Sequence, residues 1–116
     1  MQYRCRIDGK IMTASIPHDI VSQLSALPYD HTSYFDLGGN YELLATDRLV
    51  ASRARPEGIV NANKFMSMAA SGHMGKRAPI SVGTLEGALI AVIDGNSTFI
   101  NALLSGWPDI PSALVL

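Results

Sequence analysis

The sequence predicts a small α/β (α+β) domain, a mixed sheet with two packed helices and N-terminal β-hairpins extending it. Three observations carry that expectation. Residues 3–16 alternate around Asp8-Gly9, a two-residue turn pair that favours a β-hairpin. Ala62, Phe65, Met66 and Ala69 recur at i, i+3, i+4 and i+7, the spacing of one helix face. The apolar run Leu89 to Ile93 passes through Asp94-Gly95 straight into Asn96-Ser97-Thr98, a strand turning into a helix.

The remaining elements follow in order. Pro17-His18-Asp19 introduces a short helix through Leu24, ended by Ser25 to Pro28. Ser33–Leu37 and Tyr41–Ala45 read as a second hairpin around Gly38-Gly39-Asn40, followed by a loop from Ser52 to Gly58. The helix over 60–71 stops at Gly72, where a C-cap belongs. Pro79 to Val82 is extended, Gly83 to Gly87 turns, and the second helix runs from Ser97 to Leu104 before Ser105-Gly106. Trp107 to Pro111 makes a rigid connector, with Trp107 packing it on the core, and Ala113 to Leu116 a last strand. Phe65 and Ile93 are expected in the core.

At 116 residues the chain fits one domain with a modest core. Nothing approaches the ~20 apolar residues of a membrane span, so no membrane partner is expected. The opening Met-Gln-Tyr-Arg-Cys-Arg lacks the apolar core of a signal peptide, and the expected compartment is the cytoplasm. The single cysteine, Cys5, excludes an internal disulfide and a cysteine zinc cage; it reads as a buried structural thiol. The final apolar run stops abruptly, as in a domain belonging to a larger protein or complex.

Charge is unevenly placed. Residues 1–47 carry three basic and six acidic side chains, and residues 78–116 carry three acids and no base. Between them stand Arg48, Arg53, Arg55, Lys64, Lys76 and Arg77, against Glu57 alone. A basic centre with acidic flanks fits a local anion site better than a DNA-coating surface. The junction at Gly95 is either an ordinary N-cap after a turn or a place for that anion. Helix N-termini hold unpaired N–H groups and the positive end of the dipole, and glycine lets a ligand approach the backbone.

Other chemistries fit poorly. Gly75-Lys76 resembles a P-loop, but Ala70 and Arg77 stand where that pattern needs glycine and a hydroxyl residue. Ser97 with His73 and Asp94 lacks a nucleophile elbow. His18, His31 and His73 are too scattered for a metal site, and none is expected. Glu57 is either an ion-pair partner or a catalytic carboxylate beside a phosphate.

From residue 59 onward the parts run helix, glycine, Pro79-Ile80-x-Val82, turn, apolar strand, Asp94-Gly95-Asn96-Ser97-Thr98, helix, Gly106-Trp107, Ile110-Pro111, strand. This order resembles the ParB/sulfiredoxin superfamily, with Ala102 also where its pattern expects it. The loop Ser52 to Glu57 is similar, more loosely, to the family's Arg-Pro-type loop ahead of its first helix. The resemblance implies one ParB/sulfiredoxin-like domain over 1–116, with 1–51 a hairpin extension and 52–116 the core. It also implies that the loop holding Arg53 and Arg55 lies across from the Gly95 turn.

The signature diverges from the Gly-Glu-Arg-Arg, Gly-His-Arg-Arg and Gly-Cys-His-Arg forms usual in members that bind CTP, ATP or DNA. Asn96 falls at the cysteine nucleophile of sulfiredoxin, which excludes sulfinic-acid reduction. Thr98 replaces the phosphate-binding arginine, so charge must come from Arg53, Arg55, Lys76 or Arg77. The implied activity is binding of a phosphorylated ligand, a nucleotide first, with Mg2+ accompanying it. In that reading Asp94 to Thr98 form the cradle and Glu57 is the base if hydrolysis or phosphoryl transfer follows. The alternatives are a ParB-like DNA-binding or nuclease module and a non-catalytic interaction or regulatory domain.

Overall fold

The computed structural model describes residues 1–52, 54–85 and 87–115. Among them a seven-stranded mixed sheet carries four α-helices. Strands β1 (Gln2–Ile7) and β2 (Lys10–Ser15) form the expected hairpin, paired from Ile7↔Lys10 to Gln2↔Ser15. Its turn holds Asp8 at φ 51° and Gly9 at φ 78°, the left-handed pair of a type I′ turn that matches strand twist.

The second expected hairpin is absent. His31–Tyr34 is a short helix, α2, after the four-residue α1 at His18–Val21. The Asp30 carboxylate accepts the Thr32 and Ser33 hydroxyls at 2.7 and 2.9 Å, which bends into a helical turn a stretch whose aromatic residues favour a strand. Only an isolated bridge between Phe35 and Arg77 remains of that expectation. Glu42–Ala45 is indeed a strand, β3, but it pairs antiparallel with Asp109–Leu114, β7. The presumed connector at 107–111 therefore becomes sheet from Asp109 onward.

A 3-10 turn at Thr46–Arg48 leads into β4, Leu49–Ala51, three residues that are all buried. The strand order is β2-β1-β4-β6-β5-β7-β3, with β5 at Ile80–Thr84 and β6 at Ile90–Asp94. β4 lies parallel to both β1 and β6, β5 lies antiparallel to β6, and β7 lies parallel to β5.

Helix α3 spans Pro56–Ala70, starting inside the segment expected as a loop, with proline at the first helical position. Helix α4 spans Asn96–Leu104 and packs on β4, β5 and β6, while α3 packs on α4. Leu49, Ala51, Ile80, Val82, Val92 and Ile110 meet Phe99 and Ile100 in the core. Trp107 closes it as expected, 2% exposed, its indole N–H donating to the Leu27 carbonyl at 2.8 Å. Cys5 is buried.

Two expected core residues are at the surface. Ile93 is 52% exposed, because strand alternation turns it opposite to the fully buried Val92 and away from the helices. Phe65 is 40% exposed. The buried stripe of α3 is Ile59, Ala62, Asn63, Met66 and Ala69, which leaves Phe65 on its shoulder. Among the described residues, no helix is long and apolar enough to cross a membrane.

Candidate functional site

The junction between β6 and α4 leaves helical N–H groups without a capping side chain. Gly95 caps α4 at φ 90°, and a Cβ there would lie 2.7 Å from Ile80 Cγ2, so both conformation and space require glycine. The first helical bond runs from the Phe99 N–H to the Gly95 carbonyl at 2.9 Å, and no side chain caps the helix. The Gly95 N–H is taken by the Asp94 carboxylate at 3.0 Å. The N–H groups of Asn96, Ser97 and Thr98 remain for solvent or a ligand.

The segment leading into α3 crosses this helix end. The Ser52 N–H donates to the Asn96 side-chain oxygen at 2.8 Å, and the Ser52 hydroxyl donates to the Val92 carbonyl at 2.6 Å. A Cβ at Gly58 would lie 3.0 Å from the Ser97 hydroxyl oxygen. A helical glycine costs roughly 1 kcal/mol relative to alanine; here it lets the two helix N-termini approach. Asn63 and Asn101 fix that approach from inside. The Asn63 amide donates to Asn101 Oδ1 at 2.9 Å, and the Asn101 amide donates to the carbonyls of Ile59 and Ser97 at 3.0 and 2.9 Å.

A cleft of about 290 Å³ opens here, lined by Arg77, Ala78, Pro79, Ile80, Asp94, Gly95 and Thr98. Thr98 is only 3% exposed, and among the described residues its hydroxyl has no hydrogen-bond partner. The structure thus brings Arg77 together with the signature residues. Lys76 diverges, because consecutive residues of an extended segment point to opposite sides. Its ammonium donates to the Thr32 carbonyl within α2. Arg55 is exposed at the α3 N-cap, and Glu57 is exposed in the first turn of α3, where a carboxylate favours the dipole. Arg53 lies outside the described residues.

Larger depressions of about 570 and 600 Å³ lie near Tyr41 and Arg48 and near Thr32 and Lys76. Neither borders the N-terminus of a helix longer than the four-residue α2, so the smaller cleft has the better chemistry for an anion. Sequence reasoning missed the Asn63–Asn101 pair and the place of Phe65. Two asparagines within apolar helix faces were the available signal for the first. For the second, the Arg77 guanidinium lies over the Phe65 ring, 5.9 Å from its centroid.

No protein-family model matches the chain, and no curated protein matches it. Among solved structures, the chain is similar to SbnI with C-terminal truncation from Staphylococcus aureus, with 19% identity and a TM-score of 0.55. The match covers 66% of this chain and 30% of the SbnI chain. At that identity the likeness speaks for the fold alone, a mixed α+β sheet with packed helices, which is the fold class the sequence predicts.

Proposed function

We propose that this domain binds a phosphorylated small molecule, a nucleotide in the favoured reading, with its phosphate at the N-terminus of α4. The observation that carries the proposal is Thr98. The residue is 3% exposed, yet it lines the cleft together with Arg77, Asp94 and Gly95, at a helix end where no side chain caps the N–H groups of Asn96, Ser97 and Thr98. Phosphate oxygens accept from these donors at once, and the helix dipole adds to the attraction. Arg77 supplies the charge that Thr98 lacks, and Arg55 stands at the N-cap of α3, in the segment leading into that helix.

Asp94 shares the cleft with Arg77, and a carboxylate beside a bound phosphate calls for a bridging cation. Among the described residues no group of three or more His, Cys, Asp or Glu could hold a metal ion. Mg2+ would therefore arrive with the nucleotide, held by phosphate oxygens and one carboxylate, the usual manner of that ion. Hydrolysis or phosphoryl transfer would use Glu57, next to Gly58 at the helix contact, as base. A non-catalytic interaction domain is the second reading; the exposed Ile93 and Leu43 favour it.

Calorimetric titration with ATP, CTP, GTP and phosphoribosyl pyrophosphate, with and without Mg2+, tests the proposal. Saturable binding that weakens in Thr98→Val is the expected result. No binding at millimolar ligand would overturn it. Nanomolar duplex binding at physiological salt, or Mg2+-dependent plasmid nicking, would replace it with the DNA-directed alternative.

A further inference from the structure

We propose that the ligand is a nucleotide whose base stacks on the exposed ring of Phe65, with Arg77 placed between base and phosphates; this rests on the phosphate site proposed above. Three observations lead there. Phe65 is 40% exposed on α3, so part of the ring reaches solvent beside the face that Arg77 covers. Arg77 touches both places, lining the cleft with Thr98 and lying over the Phe65 ring. The cleft itself, at about 290 Å³, is small and its lining offers an anion Thr98 and the Gly95 helix end but no aromatic ring for a base. The phosphates fill it, and the remainder of the ligand lies outside.

The geometry of α3 sets where that remainder goes. Gly58 meets Ser97, the neighbour in α4 of the cleft residue Thr98, and Phe65 is seven residues further along the same helix. At 1.5 Å rise per residue that separation is about 10 Å, the scale of the reach from a nucleotide's phosphates to its base. Aromatic side chains and guanidinium planes are the usual supports for an unpaired base. A π-face accepts every base, so Phe65 selects for a nucleobase without choosing among the four.

ATP and inorganic tripolyphosphate separate this inference from the phosphate site. In the wild-type protein ATP should bind more tightly, by on the order of tenfold to a hundredfold for one stacked base. Phe65→Ala should remove most of that advantage and leave tripolyphosphate affinity unchanged. Phe65→Tyr should keep it. Phe65→Leu, which preserves apolar bulk on the helix, should behave as Phe65→Ala, and circular dichroism checks that each variant is folded. Equal affinities for the two ligands in the wild type would overturn stacking and leave the phosphate site standing. A Phe65→Leu variant losing both ligands equally would also overturn it, and failure of both to bind the wild type would overturn the two proposals together.

Discussion

The region around Trp107 and the cleft at Gly95 are both polar and both adjoin β-strand ends, yet their hydrogen bonds go to different places. Around Trp107 they go inward. The indole donates to Leu27, the Thr46 hydroxyl donates to the Trp107 carbonyl at 2.7 Å, and Asp109 accepts from Tyr29 at 2.6 Å and His31 at 2.7 Å. Four further rings, those of Tyr29, His31, Tyr34 and Phe35, lie 5.2–6.3 Å from the indole. Among the described residues one buried polar side-chain atom there, His31 Nδ1, is left over. At Gly95 the Asp94 carboxylate takes one N–H, and the N–H groups of Asn96, Ser97 and Thr98 have no capping side chain, with Thr98 in the cleft wall. Groups satisfied within the fold hold it together, and groups left free are available for a ligand. Substitutions in the first region should therefore act on stability and those in the second on binding.

Trp107→Ala should produce the largest effect. Removing a fully packed aromatic side chain costs about 3–5 kcal/mol, and the Leu27 carbonyl loses its donor. Denaturant unfolding followed by circular dichroism reads the loss. A destabilisation below about 1 kcal/mol would mean that this region is not the structural anchor.

Arg77→Ala comes next, and its effect belongs to binding. One charge-assisted hydrogen bond is worth roughly 1.5–3 kcal/mol, so nucleotide affinity should fall on the order of tenfold to a hundredfold. Arg55→Ala reports whether the crossing segment contributes, and Arg4→Ala, in the β1–β2 hairpin, should be nearly silent. If all three variants bind like the wild type, the basic cluster is surface decoration and the comparison loses its second half.

Gly95→Ala is smaller in stability but acts on both properties. An L-residue in left-handed backbone costs about 1–2 kcal/mol, and Ile80 must move to admit the methyl group. Unfolding and ATP titration of the same variant should both register the change. Wild-type values in both would contradict the tight junction.

Signals of the two regions differ in how far they reach along the chain. Asp8-Gly9, the 62–69 repeat and the passage from Val92 to Thr98 are local, and the hairpin, α3 and α4 stand where they indicate. The pairing of Glu42–Ala45 with Asp109–Leu114 joins segments more than sixty residues apart, and a local glycine turn offered a nearer, incorrect partner. β4 is too short, at three residues, for alternation to register. α2 depends on two side-chain hydrogen bonds to Asp30, which propensity alone does not weigh. In the cleft, residues 94–98 were legible from the junction. The separation of Lys76 from Arg77 was not, because it depends on which neighbours flank an extended segment.

Asp109→Asn should give the smallest effect and the one most specific to the Trp107 region. Burial raises the Asp109 carboxyl, but hydrogen bonds from Tyr29 and His31 outweigh it and hold the group below its ordinary value of 3.8. The folded state therefore releases this proton more readily than the unfolded chain. The resulting stabilisation is present above pH 3.8 and is lost as pH falls through the lower folded value. Solvent reaches the pair, so its size should stay below about 1 kcal/mol. Unfolding measured from pH 7 down to about pH 2 should show wild type and Asp109→Asn converging at the acid end. Thr98→Val, in the cleft, changes no ionisable group and should keep a constant separation from the wild type across that range. A gap at Asp109 that stayed constant too would make the contact a matter of packing rather than charge, and the two regions would no longer differ in this respect.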